Sequence, residues 1–300
     1  MISQPLVSVI ILNWNGKRFI EDCLKSVTGT NYTHLEIIVV DNCSTDGSDK
    51  IVEGKFPNIK LIKTHKNLGF GGGNNIGIRS SMGKYIVLLN YDTLIDPNWL
   101  SELVKVAEDD PLIGLAGCKI YFSNTNIIQH AGGRIDETDG RCRHYGYNEE
   151  ERGIYNHIRD VDYVTGAALM ISRACLHKIG LFDPLYFMYY EEVELALRAR
   201  RQGFRVVYVP SAVIYHYENA GFGGRTDRYN ALNTRNRFRF LIKNYGISKF
   251  VICFLGEFYR RWFIGIRYAE SQRIIIEMFF WNVLHLSETL NSRINIIKLD

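Results

Sequence analysis

Residues 87–93, Val-Leu-Leu-Asn-Tyr-Asp-Thr, carry a single carboxylate, Asp92, at the end of an apolar run that reads as a buried strand. In open α/β sheets ligands gather at the carboxyl ends of the strands. A divalent cation held there by oxygen ligands is a common way to grip a nucleotide diphosphate. The plainer alternative is a turn, since Asn, Tyr, Asp and Thr are ordinary turn residues. Two further features favour chemistry. The acidic cluster Tyr190-Glu191-Glu192-Val193-Glu194-Leu195 offers carboxylates for proton transfer, and the late histidine His216 offers an imidazole for a metal.

Asp41-Asn42-Cys43-Ser44-Thr45-Asp46-Gly47 follows a second apolar run and precedes a helical stretch, so it faces a ligand edge beside a helix N-terminus. Either Asp41 accepts a hydrogen bond from the N3 donor of a pyrimidine, or Ser44 or Thr45 caps the helix, and both can hold. Asn13-Trp14-Asn15-Gly16 either lines a base through Asn13 and Asn15 or turns the chain. The glycine-rich stretch 67–75, ending in Asn74 and Asn75, has neither the G-x-x-x-x-G-K-S/T nor the G-x-G-x-x-G spacing, which excludes a P-loop and a dinucleotide fingerprint. Its glycines permit close approach to a ligand or to a neighbouring strand.

The elements that must position these groups alternate. Strands are expected at 7–12, 35–40, 59–63 and 85–89, and helices at 17–27, 45–56 and 73–81. That order means right-handed βαβ units and a mainly parallel sheet covered on both faces. The strands are nearly continuous in Val, Ile and Leu, as such burial requires. After Asp96 a helix is expected at 97–107, apolar structure at 113–120, regular structure at 161–172, a helix at 192–202 and strands at 205–210 and 212–216. Residues 125–157, polar and rich in Gly and Tyr, read as a mobile acceptor-facing insertion or a floppy loop. Beyond the glycines at 221–224 the chain reads as helical.

Three hundred residues with 46% hydrophobic content can bury a sizeable core, and disorder is excluded. The six cysteines lack zinc spacing and C-x-x-C pairs, which argues for reduced thiols in a cytoplasmic protein, none of them catalytic. The first apolar run reads as a strand and not as a signal peptide, and no apolar stretch is long enough to span a bilayer. The net charge of +4 is unevenly placed: between Arg225 and Arg273 eleven Lys/Arg face three acidic residues, an excess usable against phosphates or anionic lipid. Within 248–290 Phe250, Val251, Phe254, Leu255, Phe258, Trp262, Phe263 and Ile266 alternate with Arg260, Arg261 and Arg267 at roughly helical spacing. These helices either lie on the inner membrane face, where lipid-linked acceptors reside, or pack as core or dimer helices.

In their joint order several segments resemble glycosyltransferase family 2, most of all its bacterial rhamnosyltransferase-type branch. They are Val7-Ser8-Val9-Ile10-Ile11-Leu12-Asn13-Trp14-Asn15-Gly16, Val39-Val40-Asp41-Asn42-Cys43-Ser44-Thr45-Asp46, Asn67-Leu68-Gly69-Phe70, Leu89-Asn90-Tyr91-Asp92-Thr93, Thr165-Gly166-Ala167-Ala168, Gly180-Leu181-Phe182-Asp183, the run 187–195, Val209-Pro210 to His216, and Arg235-Asn236-Arg237. The resemblance runs from about Leu6 to Asn244. It implies a GT-A fold, α/β and Rossmann-like, with a donor half at about 1–95, an acceptor half at about 96–244 and a C-terminal helical extension at 245–300. It also implies a nucleotide-diphosphate sugar donor, a divalent cation, Mg²⁺ or Mn²⁺, and inversion at the anomeric carbon. Carried over residue by residue, Asp41 matches the pyrimidine-binding aspartate and Asp92 the metal-holding aspartate of the D-x-D motif. Glu192 stands where the base is usually Asp, and His216 where a histidine completes the metal and diphosphate site. Two departures stand out: the first D-x-D position is Asn90, and 191–194 carries glutamates where the family has E-D-x-D.

The chemistry of the residues agrees. A sugar hydroxyl is a poor nucleophile, and a carboxylate on the far side of the anomeric carbon takes its proton as attack proceeds. The departing diphosphate gains charge that a metal and cations stabilise. Glu192 suits the first task, and Asp92 with His216 the second. Asn13, Asn15, Asn75 and Asn90 are expected to contact the nucleotide sugar, and Arg225 and Arg228 either close over the diphosphate or are basic surface. For Glu194 a solvated helix face, paired with Arg198 four residues on, is expected. The expected activity is transfer of rhamnose or another hexose from a dTDP- or UDP-sugar to a cell-surface glycan or lipid-linked acceptor, with no role for nucleic acid. The alternatives are a catalytically silent nucleotide-sugar-binding subunit, or a sugar nucleotidyltransferase. The latter would need a basic Gly-rich loop after the first strand, and 13–16 is not one.

Overall fold

A computed structural model of the chain describes residues 4–217, 226–263 and 271–299, with the side chains of Trp262 and Phe263 left out. Its first half runs β1 (Val7–Asn13), α1 (Ile20–Thr28), β2 (Leu35–Asp41), α2 (Ser48–Lys55), β3 (Lys60–Lys63), α3 (Gly69–Arg79), β4 (Tyr85–Asn90), β5 (Thr93–Ile95), α4 (Trp99–Asp109) and β6 (Ile113–Phe122). The short strands β7 (Ile127–His130), β8 (Gly133–Ile135), β9 (Cys142–His144), β10 (Glu149–Glu150) and β11 (Arg159–Asp160) follow. Then come β12 (Ala168–Ser172), α5 (Arg173–Ile179), a 3-10 turn at Pro184–Tyr186, α6 (Glu191–Arg201) and β13 (Arg205–His216). Four helices close the described chain: α7 (Asp227–Tyr245), α8 (Ile247–Phe263), α9 (Gln272–Leu284) and α10 (Leu286–Ile294).

The main sheet has the order β10-β7-β6-β12-β4-β1-β2-β3, with β13 beside β6. β3, β2, β1 and β4 are parallel, β12 is antiparallel to both β4 and β6, and β13 runs parallel to β6. Alternate residues of each central strand feed two cores. Ile10, Leu12, Ile38, Val40, Ile86 and Leu88 point one way, and Val9, Ile11, Val39, Val87 and Leu89 the other. Two-sided burial is why these strands show no polar alternation.

The glycine-rich stretch forms the first turns of α3, which starts at Gly69 and not at 73. A Cβ at Gly73 would meet Leu12 at 2.4 Å, and one at Gly77 would meet Ile10 at 2.5 Å. The glycines therefore serve close packing of α3 on β1. The stretch 125–157 also differs from expectation, because its two hairpins are tied down and do not float. The Arg159 guanidinium lies 4.2 Å from the Tyr145 ring centroid and 5.5 Å from that of Tyr208, and Lys119 pairs with Glu151 at 2.6 Å. Aromatic and cationic side chains build this region without aliphatic periodicity, so the sequence pattern did not reveal it.

α7 contributes Phe240 to the sheet core, while Phe238, Leu241 and Ile242 join Phe250, Cys253 and Ile275 in a third core shared with α8 and α9. The apolar residues of α8 divide: Phe250 and Phe254 pack inward against Phe279, whereas Ile252, Leu255 and Tyr259 are exposed. Ile266 and Arg267 lie outside the described residues. Among the described residues no helix is long and apolar enough to cross a membrane.

Candidate active site

A cavity of about 560 Å³ opens at the carboxyl ends of β1, β2 and β4. Asn90, Asp92, Glu192 and His216 all line it, together with Glu191 and, on the sheet side, Trp14 and Asn42. His216 arrives from far along the chain because β13 pairs with β5, setting His216 opposite Thr93. Its Nε2 then stands 3.1 Å from Asp92 Oδ1 and 3.4 Å from the Asn90 amide. Its Nδ1 faces Gln129 Oε1 at 2.8 Å. A carboxamide oxygen only accepts, so Nδ1 is the donor to Gln129 and Nε2 is the nitrogen turned toward the Asp92 carboxylate. An imidazole nitrogen and a carboxylate oxygen converging in this way fit a cation between them, and that pair suits Mn²⁺ or Mg²⁺ when phosphate oxygens and water complete the shell. Among the described residues no cluster of three or more His, Cys, Asp or Glu could hold a metal unaided.

Asn13, Asn15 and Asp41 form a tight network beside the cavity and are not among its lining residues. Asn13 donates to Asp41 Oδ1 at 2.8 Å and Ser48 Oγ at 2.8 Å, while Ser44 N donates to Asp41 Oδ2 at 3.0 Å. Asn15 Oδ1 accepts from Thr45 N at 2.8 Å. Neither Ser44 nor Thr45 caps α2: Gly47 is the N-cap residue, with φ +83°, and Asp46 Oδ1 accepts from Ser48 N at 2.9 Å. Asn75 is not brought to the cavity at all. Its carboxamide binds the Phe182 backbone on both sides, at 2.9 and 3.0 Å, and fastens α3 to the segment before α6. Arg225 lies outside the described residues, and Arg228 is an exposed residue of α7 that does not line the cavity.

Glu191 and Glu192 enter from the first turn of α6, whose preceding turn holds Phe187, Tyr189 and Tyr190 at φ +64°, +73° and +73°. Left-handed backbone at bulky residues is uncommon and gathers at functional sites. Burial pushes the Glu192 carboxyl up to about 7. Burial, and then the neighbouring Glu192 charge, holds Glu191 well above the usual range. Oε2 of each is buried with no hydrogen-bond partner. Glu194 differs from expectation. It is fully buried, bound by Arg198 at 2.9 and 3.0 Å and by Lys243 at 3.2 Å, and serves as a structural anchor, not a solvated face.

Several cavity residues escaped the sequence pattern. Gln129, His130, His144 and Tyr163 come from or beside the insertion, where only the density of polar and aromatic residues hinted at a site. His130 accepts from Thr165 N at Nε2 (3.3 Å) and meets His144 Nδ1 at 2.7 Å. Burial, then the His144 and Arg159 charges, keep its imidazole well below the ordinary range and so neutral.

The cavity thus lies at the carboxyl ends of the parallel strands, with the Asp92–His216 contact and the Glu191–Glu192 carboxyls facing the same space. The sequence profile of glycosyl transferase family 2 matches residues 8–179, and the chain belongs to that family. An uncharacterised protein, y4gI, from Sinorhizobium fredii is 30% identical over 74% of this chain, which spans 26% of that protein's length. The N-acetylglucosaminyl-diphospho-decaprenol L-rhamnosyltransferase of Mycobacterium tuberculosis is 24% identical over 79% of this chain and 84% of its own. A mannosyltransferase of Pyrobaculum calidifontis, solved with GDP-Man and Mn²⁺, shares the fold at a TM-score of 0.58 and 16% identity, covering 97% of this chain and 85% of its own. The fold is GT-A.

Proposed function

We propose that this chain is an inverting, metal-dependent transferase that moves rhamnose or another hexose from a dTDP- or UDP-sugar to a cell-surface glycan or a lipid-linked acceptor. The observation that carries this reading is one cavity shared by His216 Nε2, 3.1 Å from Asp92 Oδ1, and by the buried carboxyls of Glu191 and Glu192. Glu192, poised near neutrality, accepts the proton of the acceptor hydroxyl as that oxygen attacks the anomeric carbon. Asp92 and His216 would hold the divalent cation, which would supply charge neutralisation for the departing diphosphate. Asp41, fixed by Asn13 and the Ser44 amide, is the base-recognition group at the end of β2. The Mycobacterium relative, named for transfer to a diphospho-decaprenol-linked sugar, supports a similar acceptor here.

A thermal-shift panel of dTDP-, UDP- and GDP-sugars with Mg²⁺ or Mn²⁺ tests donor binding, since only a ligand that prefers the folded state raises the melting temperature. Release of nucleoside diphosphate by the purified protein then separates an enzyme from a silent nucleotide-sugar-binding subunit. A lipid-linked acceptor would place the chain against the cytoplasmic face of the inner membrane. The exposed Ile252, Leu255 and Tyr259 of α8, with Phe280 and Leu284 of α9, suit that contact. Failure to float with anionic liposomes at low salt would dismiss it.

A further inference from the structure

The run Arg235-Asn236-Arg237 on α7 contributes nothing to the chemistry above and lines no part of the cavity, yet Asn236 ends on the backbone of Met188 and Tyr189, which do line it. Asn236 is fully buried, and its Nδ2 reaches three carbonyls of the turn before α6: Tyr186 at 2.8 Å, Met188 at 2.7 Å and Tyr189 at 2.8 Å. Arg235 donates from Nε to Asn236 Oδ1 at 2.9 Å and from Nη2 to the Tyr186 carbonyl at 2.8 Å. The first bond fixes which end of the Asn236 amide faces the turn. Arg235 is itself held by the Trp281 ring of α9, 4.9 Å from its guanidinium, and its carbonyl accepts from Asn282 at 3.0 Å. Arg237 donates to the Asp139 carbonyl at 3.0 Å and pairs with Glu257, so it holds the loop between β8 and β9. Tyr190 closes the circuit by donating to the Gly140 carbonyl at 2.9 Å.

The turn needs such a tie. Three of its bulky residues sit in left-handed backbone, and although Phe187 O accepts from Phe70 N and Tyr190 O from Glu194 N, the Met188 and Tyr189 carbonyls are met by the Asn236 amide. Without donors in place it would relax, and the first turn of α6 would shift with it.

We propose that Asn236 is a positioning residue: it holds the turn at 186–190 in its left-handed form and so sets where Glu191 and Glu192 enter the cavity, with Arg235 and Trp281 fixing Asn236 in turn. The role in turnover rests on the transferase reading above, whereas the role in holding the turn does not. Two measurements on the full chain separate them. Hydrogen exchange of Asn236→Ala should show amides of 186–192 exchanging at least about tenfold faster than in the unaltered chain, with those of β1 and β4 unchanged. Turnover, read as nucleoside diphosphate release from UDP- and dTDP-sugars with Mn²⁺, should fall about a hundredfold in kcat, the usual cost of a displaced catalytic group, while UDP affinity stays within threefold. Trp281→Ala, remote from the cavity, should reproduce both effects more weakly. Phe187→Gly in the Asn236→Ala background should recover part of the lost rate, because glycine adopts positive φ without strain. Unchanged exchange at 186–192 would overturn the clamp. So would a kcat within threefold of the unaltered chain, or a parallel loss of UDP binding. An unaltered chain that turns over no donor, with the exchange effect intact, would instead sink the transferase reading.

Discussion

Gln129 and His216, 87 positions apart, are joined by a 2.8 Å contact from Nδ1 to the carboxamide oxygen, and that contact decides which imidazole nitrogen is offered to Asp92. Outer partners of this kind orient a metal-binding ring and raise its basicity. Gln129→Leu should therefore weaken Mn²⁺ binding about 10- to 100-fold, with the fold intact by circular dichroism. Calorimetric titration of Mn²⁺ with UDP present checks it, and affinity unchanged by the substitution would mean His216 is not a ligand.

Asp92→Ala should abolish metal-dependent donor binding, since the neighbouring Asn90 brings no negative charge for a hard cation. Calorimetry with a nucleotide sugar and Mn²⁺ is the measurement. Binding that survives would make Asp92 a turn residue only.

Glu192→Gln should keep donor binding and lose about a hundred- to ten-thousand-fold in transfer rate, because the amide keeps the shape and accepts no proton. Glu192→Asp should retain partial activity, its carboxylate held one methylene short of the hydroxyl. Transfer by Glu192→Gln within a few-fold of the unaltered chain would pass the role to Glu191, which lines the same cavity.

Since burial pushes Glu192 up to about 7, transfer should decline as pH falls through neutrality, where its base form is lost. Stability should move the other way. A carboxyl whose pKa is raised on folding favours the folded chain below its unfolded value, and that contribution is lost as pH rises through the folded one. Glu192→Gln should thus melt higher than the unaltered chain at pH 8 and nearly level with it at pH 5. Equal differences at both pH values would refute burial of an ionising Glu192.

The Tyr163 hydroxyl is buried without a hydrogen-bond partner, and its ring lies against Gly133, where a Cβ would come within 2.2 Å. Burial raises its pKa well above the usual range, so it remains a neutral donor beside Glu192. Removing an unsatisfied hydroxyl does not destabilise a core. Tyr163→Phe should therefore hold or raise the melting temperature while weakening acceptor use about tenfold. A fall in melting temperature with no change in acceptor KM would give the hydroxyl a structural role.

The strand-end groups were legible because a buried apolar run that stops on Asn or Asp announces itself, and Asp92 and Asp41 both sit at such ends. Burial of charge was not legible. Glu194 carries the polarity of a solvent face, yet α6 is covered by β13 and by Lys243 of α7, and only the folded chain shows its cationic partners arriving from either side. Asn75 misleads for a related reason: a carboxamide next to a glycine-rich stretch suits a ligand and a backbone equally well, and the Phe182 backbone, 107 residues on, occupies it. The hairpins of 125–157 draw on Tyr, His and Arg for their packing, which no period-2 hydrophobic pattern records.

β13 spans twelve residues, but its register against β6 jumps from Val209–Cys118 to Val213–Lys119, leaving Pro210, Ser211 and Ala212 unmatched. The same strand then carries His216 to the level of Thr93. Side chains alternate between sheet faces, so removing one of those three residues would turn His216 to the opposite face if the pairing beyond slid by one. The unmatched stretch thus acts as a length gauge for the active site. Substitutions of residue type there should be tolerated far better than a change of count, and variation in this stretch should come as whole-residue exchanges with its length held constant.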